Sequence, residues 1–331
     1  MIRYYAPGAG RPRAPVELPQ VTLGHQLDPG GYQPDERLVE AVHVAIVLGM
    51  PLLVTGEPGT GKTHLAYSVA WELGLGPPLV FETKSTSVAR DLFYNYDTIA
   101  RFHAAQTGGA VDAERYITFN SLGLALIRAN EKDALPPAAA ARRDGAKPQR
   151  SVVLIDEVDK APRDFPNDIL NEIEGAYFRI PELGNVTISA PAALRPIVIL
   201  TSNSERGLPD AFLRRCAFCH IPFPSAEKLT SIVLARLQWM NLPGQPLLNG
   251  AIRFFCALRD AQPELRKPPG TAELLNWITA LRHFGAKAEL PLSEQIAEAA
   301  ATLGTLAKLA EDLERVLALF KSWVGGNLAF K

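Results

Sequence analysis

The sequence predicts an α/β fold: a mostly parallel sheet covered by helices on both faces, followed by a separate all-helical domain. Three observations lead there. Short, nearly unbroken apolar runs alternate with helical patterns as far as Ile221, as expected of strands buried on both faces. One run leads into a glycine-rich string of phosphate-binding type, and another ends in paired carboxylates. After Pro224 the strand pattern stops and only helical apolar spacing continues.

Taken in order, residues 1 to 34 are rich in Pro and Gly without helical period and read as an extended arm or linker. Leu38 to Leu48 is helical, with Leu38, Val42, Ala45 and Ile46 on one face. Strands are predicted over Pro51–Thr55, Leu79–Glu82, Ser151–Ile155, Pro196–Thr201 and Phe218–Ile221. Helices are predicted over His64–Leu73 and Phe165–Ile173. Asn95 to Lys132 is long and aromatic and is expected to form helices of its own. Leu135–Arg150, with Pro136, Pro137, an alanine run and four basic residues, reads as a flexible loop. Four helical stretches follow: Ala226–Met240, Leu247–Leu258, Thr271–Phe284 and Leu292–Trp323, the last divided at Gly304. Its leucines at a/d-like spacing are read as core rather than as a coiled-coil seam.

The bulk numbers set limits on function. At 331 residues the chain holds roughly two domains. Apolar residues make up 47% and charged residues 21%, the composition of a soluble globular protein. A net charge of −1 supplies no overall basic field and argues against nucleic acid and membrane partners. Cys216, Cys219 and Cys256 are the only cysteines, too few for a disulfide framework, so a cytoplasmic setting is expected. No signal-peptide pattern opens the chain.

Gly56-Glu57-Pro58-Gly59-Thr60-Gly61-Lys62-Thr63 matches G-x-x-x-x-G-K-[ST] in full. Glycines let the loop curl so that its N–H groups face phosphate oxygens. The helix that follows, starting through His64, presents unpaired N–H groups and its dipole to an anion. Lys62 would place a cation on the β- and γ-phosphates, and the Thr63 hydroxyl would ligate Mg²⁺. Gly56 through His64 is thus the predicted nucleotide cradle, with the His64 ring itself read as a surface or packing group.

Val152-Val153-Leu154-Ile155 leads into Asp156 and Glu157. In a parallel sheet these carboxylates emerge at the edge where the loop also lies. Asp156 would hold the Mg²⁺ shell, and Glu157 would polarise the attacking water. Ile197–Leu200 runs into Thr201-Ser202-Asn203, where Asn203 could orient that water or reach the γ-phosphate; an Asn at this place is also an ordinary turn former. Tyr32, before the first helix, could stack on a base or be a linker aromatic. Phe93, Tyr94, Tyr96 and Phe102 are expected to pack against the sheet rather than decorate an exposed insert.

With these pieces in order the chain resembles AAA+ ATPases, and among them the MoxR-like branch. The resemblance rests on GEPGTGKT after PLLVT, on VVLIDEVDKAP, on NDILNEIEGAYFRIPELGNVTISAP and on VILTSNSERGLPDAFLRRC. It covers about residues 35 to 222, with the helical remainder as the lid. It implies a sheet order 5-1-4-3-2, counting the five predicted strands along the chain, and a hairpin before the strand that ends in Asn203. It makes Asn203 the sensor-1 residue and Arg215 an arginine finger, with Arg214 the neighbouring candidate. It further implies ATP with Mg²⁺, a homo-oligomer in the form of a hexameric ring, and a von Willebrand factor A domain partner. The family's sensor-2 arginine has no counterpart here; Arg266 or Lys267 could substitute.

The expected activity is therefore ATP hydrolysis driving protein remodelling. Rival readings are a nucleic-acid motor or McrB-like NTPase, and a nucleotide-gated signalling or defence module with low turnover. Cys216-Ala217-Phe218-Cys219-His220 matches a haem-attachment string, but a strand there would turn residues three apart to opposite faces.

Overall fold

A computed structural model describes residues 18, 28–107, 112–143, 145, 147–204, 207–237, 245–261 and 265–325. Most of the proposed N-terminal arm lies outside the described residues. Two compact units emerge: Pro34–Glu57 with Gly61–Pro222, and Phe223–Lys331 with Met1–Gln33 and Pro58–Thr60.

The first unit opens with α1 (Glu36–Leu48), capped by the Asp35 carboxylate, which accepts from the Leu38 N–H at 2.8 Å. The helix ends at Gly49, left-handed at φ 63°. β1 (Leu52–Gly56) and α2 (Lys62–Glu72) follow, then β2 (Leu79–Glu82). Next come β3 (Tyr94–Tyr96), α3 (Thr98–Gln106), β4 (Ile117–Phe119), α4 (Ser121–Arg128) and the single turn α5 (Pro137–Ala140). β5 (Val152–Asp156) leads into α6 (Phe165–Asp168) and α7 (Leu170–Gly175). The hairpin β6 (Tyr177–Ile180) and β7 (Val186–Ser189) precedes β8 (Ile197–Ser202), α8 (Asp210–Leu213) and β9 (Ala217–Ile221).

Five of these strands form one sheet in the order β2-β5-β8-β1-β9, every pairing parallel. Read from the β9 edge this is the expected 5-1-4-3-2. The register sets Ile155 beside Leu200 and Val54 beside Thr201. β1, β5 and β8 are almost wholly buried, which is why their sequences run apolar without alternation.

Two details of this unit, the exposure of Phe102 and a helical turn at Pro137, depart from expectation. Asn95 to Lys132 forms the expected helices, α3 and α4, and in addition β3 and β4 pair antiparallel around α3. Phe93, Tyr94 and Tyr96 share the core that contains Leu53, Val153, Ile155 and Leu200 of the main sheet, as expected, and only Phe102 departs. Phe93 stacks on Phe178 of β6 at 5.3 Å between centroids, Tyr94 tilts against the same ring, and Phe119 meets it edge-on. The Tyr94 hydroxyl donates to Glu182 Oε2 at 2.8 Å. Tyr96 accepts from Arg101, and Phe102 is exposed. The 135–150 segment is likewise not simply a loop. Pro137 starts a helical turn, and buried Arg143 donates to the Asn130 carbonyl at 2.7 Å.

The second unit contains α9 (Ala226–Arg236), α10 (Pro246–Arg259), α11 (Thr271–His283), α12 (Ile296–Thr302) and α13 (Ala310–Val324). Its core centres on Phe254, whose ring meets Trp277, Phe320 and Trp323. The Trp277 indole N–H, fully buried, donates to Thr302 Oγ1 at 3.1 Å. The last stretch breaks at a 3₁₀ turn over Leu303–Thr305 that contains Gly304. Leu303, Leu306 and Phe320 are buried in this core, as the a/d spacing of a packed helix requires. No helix among the described residues is long and apolar enough to cross a membrane.

Candidate functional site

The carboxyl ends of β1, β5 and β8 lie side by side on one sheet edge because all three strands run parallel. Ligands of open α/β sheets bind beyond this edge. β1 delivers the glycine-rich loop, in which Gly59 and Gly61 hold φ of 83° and 91°, a region where a Cβ is unfavourable. Gly61 caps α2 without a side-chain hydrogen bond, leaving the first N–H groups of that helix for an anion.

Lys62 is buried at the start of α2. Its ammonium donates to the carbonyls of Gly56 at 2.8 Å and Glu57 at 3.0 Å, and to Asn203 Oδ1 at 3.1 Å. Burial lowers its pKa from the ordinary lysine value, against the opposing pull of Asp156, Asp159, Glu157 and Glu57. The loop cation and Asn203 are thus already joined.

Thr63 Oγ1 donates to Asp156 Oδ1 at 3.1 Å, with Oδ2 at 3.3 Å. A hydroxyl and a carboxylate beside a phosphate-binding loop form the hard-oxygen donor set that Mg²⁺ takes together with phosphates and water. Among the described residues no group of three or more His, Cys, Asp or Glu could hold a metal by itself; the Mg²⁺ arrangement just described needs none.

Glu157 stands at φ 55°, ψ 52°, left-handed for a residue with a Cβ. Its backbone N–H donates to Thr201 Oγ1 at 2.9 Å, its carbonyl accepts from the Lys160 N–H at 2.9 Å, and its carboxylate pairs with the Lys160 ammonium. Strain of this kind, ~1–3 kcal/mol, persists where neighbours over-determine it.

Three members of this network escaped the sequence reading. Thr201 joins Asp156 to Glu157, donating to Asp156 Oδ1 at 2.5 Å. Asp159 accepts from the Asn203 N–H at 3.4 Å, and Lys160 holds Glu157. A signal for Thr201 did exist: it is the first polar residue after the apolar run Ile197–Leu200, at the carboxyl end of β8 where the site residues gather.

Arg214 and Arg215 follow α8 and are exposed; Arg215 pairs with Glu174 at 3.4 Å. Half-buried His64 follows Thr63 in α2. Tyr32 belongs to the second unit, where it ends the 3₁₀ turn Pro29–Gly31, and Arg236 donates to the neighbouring Asp28 carbonyl. Arg266 and Lys267 also lie there. Their N–H groups donate to the fully buried Asp312 carboxylate at 3.0 Å each, and the Arg266 guanidinium pairs with Glu311.

A family model described as "ATPase family associated with various cellular activities (AAA)" matches residues 52–224, more than half of the chain. The chain belongs to the AAA family. Membership implies ATP as the nucleotide and typically Mg²⁺ with it, in agreement with the donor set around Lys62, Thr63 and Asp156. No curated protein matches the sequence significantly. Among solved structures, a point mutant of Thermotoga maritima RuvB is 14% identical with a TM-score of 0.45, covering 89% of this chain and 71% of that one. The Thermotoga maritima RuvB Holliday junction branch migration motor is 13% identical with a TM-score of 0.42, covering 86% and 67%. Likeness at this level leaves the nucleic-acid question of the AAA chain where its net charge left it.

Proposed function

We propose that this AAA chain is an ATP-hydrolysing protein remodeller of the MoxR type, working as a homo-oligomeric ring, a hexamer, in the cytoplasm with a von Willebrand factor A domain partner. The observation that carries the hydrolytic reading is the joining of Lys62 to Asn203, and of Thr63 to Asp156, beside Glu157 on one sheet edge. The MoxR reading draws on the four sequence strings and on the hairpin β6–β7 that precedes β8. We divide the chain into an arm over 1–34, a nucleotide-binding core over 35–223 and a helical lid over 224–331.

In this mechanism the Gly56–Thr63 N–H groups and Lys62 hold the β- and γ-phosphates of ATP, with His64 continuing the helix that ends the cradle. Thr63 and Asp156 hold Mg²⁺, which when bound neutralises phosphate charge. Glu157 takes a proton from water as it attacks the γ-phosphorus; the bond to the β–γ bridging oxygen breaks and ADP leaves. Asn203 aligns that water and the terminal phosphate. Arg215, or Arg214 beside it, reaches the γ-phosphate of the adjacent subunit and stabilises charge in the transition state.

The test is Glu157→Gln. It should bind Mg·ATP about as well as the parent chain while kcat falls by about 100-fold or more, the general-base share of catalysis. Turnover at the parent rate in a variant that binds ATP would remove Glu157 from its role.

A further inference from the structure

We propose that Thr201 is a positioning residue for this hydrolysis, its hydroxyl coupling the metal-shell carboxylate of Asp156 to the backbone of Glu157. The inference rests on the roles given to Asp156 and Glu157 above and assigns their alignment to a side chain two residues before Asn203.

The hydrogen-bond bookkeeping allows one arrangement. A threonine hydroxyl carries a single proton and can also accept. The Glu157 N–H is a donor, so at 2.9 Å the Thr201 oxygen accepts there. The hydroxyl proton must then go to Asp156 Oδ1, 2.5 Å away. Thr201 is fully buried, so no water competes for either bond. Thr63 also donates to Oδ1, at 3.1 Å, and lies farther from Oδ2, at 3.3 Å. Thr201 therefore holds Oδ1 alone, while the Thr63 hydroxyl lies within hydrogen-bond reach of both oxygens, so it is Thr201 that sets which way the carboxylate is turned.

The second bond acts on Glu157. Its left-handed backbone, φ 55°, needs something to hold it, and the Thr201 oxygen fixes its N–H while the Lys160 N–H fixes its carbonyl. β8 thus ties the Asp156 carboxylate to the Glu157 backbone through Thr201, and Asn203, just past its end, meets Lys62. A threonine that merely fills strand β8 would make no demand on Mg²⁺; one that orients Asp156 would.

The experiment compares Thr201→Val, Thr201→Ser and Glu157→Gln with the parent chain. Steady-state kcat and KM are measured. Separately, the affinity for a fluorescent ADP is measured with Mg²⁺ and with EDTA. Valine keeps the β-branched shape that strands favour and removes only the hydroxyl. It should lower kcat roughly 10- to 100-fold, the usual effect of losing a group that orients a metal ligand. Its affinity in EDTA should match the parent's, while the gain on adding Mg²⁺ shrinks. Serine should restore both. Should the valine variant not fold, Thr201→Ser against Thr201→Ala carries the same comparison, since those two differ by one hydroxyl. Parent-like kcat and Mg²⁺ gain in the hydroxyl-less variant, beside an inactive Glu157→Gln, would overturn the proposal. So would a fall in kcat with the Mg²⁺ gain unchanged. Parent-like turnover in Glu157→Gln fails the underlying reading instead, whatever Thr201 does.

Discussion

Single side chains at the ends of β1 and β9 differ sharply in how the fold treats their charge. Lys62 is held as a buried cation whose pKa is lowered by desolvation but supported by four carboxylates, and its three acceptors leave it aimed along the loop. Cys216 is the opposite case. Burial, helped by the nearby Glu174 carboxylate, pushes its thiol up to about 12. The native thiol should resist alkylation at pH 8 and react only when the chain unfolds, as mass spectrometry after iodoacetamide would report; rapid native labelling would contradict its burial. Because the folded pKa lies above the unfolded one, the contribution of Cys216 to stability is complete below pH ~9 and is lost as pH rises toward 12. Thr201 teaches a further residue-scale point. Its type says only that it suits a strand; its role depends on which residue of β5 lies next to it.

Packing between elements gives a sharper test of the insert between β2 and β5. A Cβ on Gly123 of α4 would lie 2.0 Å from the Phe93 carbonyl oxygen, the same oxygen that accepts from the Asn120 N–H at 2.8 Å. Gly123→Ala should therefore destabilise by about 1–3 kcal/mol, lowering the melting temperature, where an ordinary helical glycine would gain stability from alanine. Elements were legible in the sequence in proportion to their length and to the strength of their period. β1, β5 and β8 stand out as apolar runs ended by glycine, carboxylate and small polar residues. The helices after Pro224 were found through spacing sustained over two turns or more. β3 and β4, three residues each, are too short for alternation to register. The turn α5 hides in a Pro–Ala run whose composition reads as loop. Phe165 to Ile173 reads as one helix but is two, α6 and α7, meeting at Ile169. The predicted face survives the break: Phe165, Ile169, Leu170 and Ile173 are all buried.

At the scale of the whole molecule the central question is what completes the site. Arg214 and Arg215 are exposed, and Arg215 is paired with Glu174 of its own chain, so the proposed delivery to an adjacent subunit requires that exposed ion pair to open. Specific ATPase activity should rise with protein concentration as subunits assemble. Arg215→Ala should lower kcat by roughly 10³-fold while leaving ATP binding intact. Flat specific activity across the assembly range would argue for a site complete within one chain. Duplex DNA added to the same assay addresses the motor alternative: salt-dependent stimulation of hydrolysis would favour it, and no effect would favour protein remodelling. The sequence reached the nucleotide and its loop because those motifs are local strings. It stopped short of the partner because partner choice is written in surfaces rather than in spacing. What most directly tests the account is a calorimetric titration of Mg·ATP into the parent chain and into Lys62→Ala. The parent should give saturable heat and the variant an affinity at least about tenfold weaker, since a charge-assisted contact to the β- and γ-phosphates has gone. No heat from the parent, or equal affinity in the two, would contradict a triphosphate seated between the β1 loop and the carboxylates of β5.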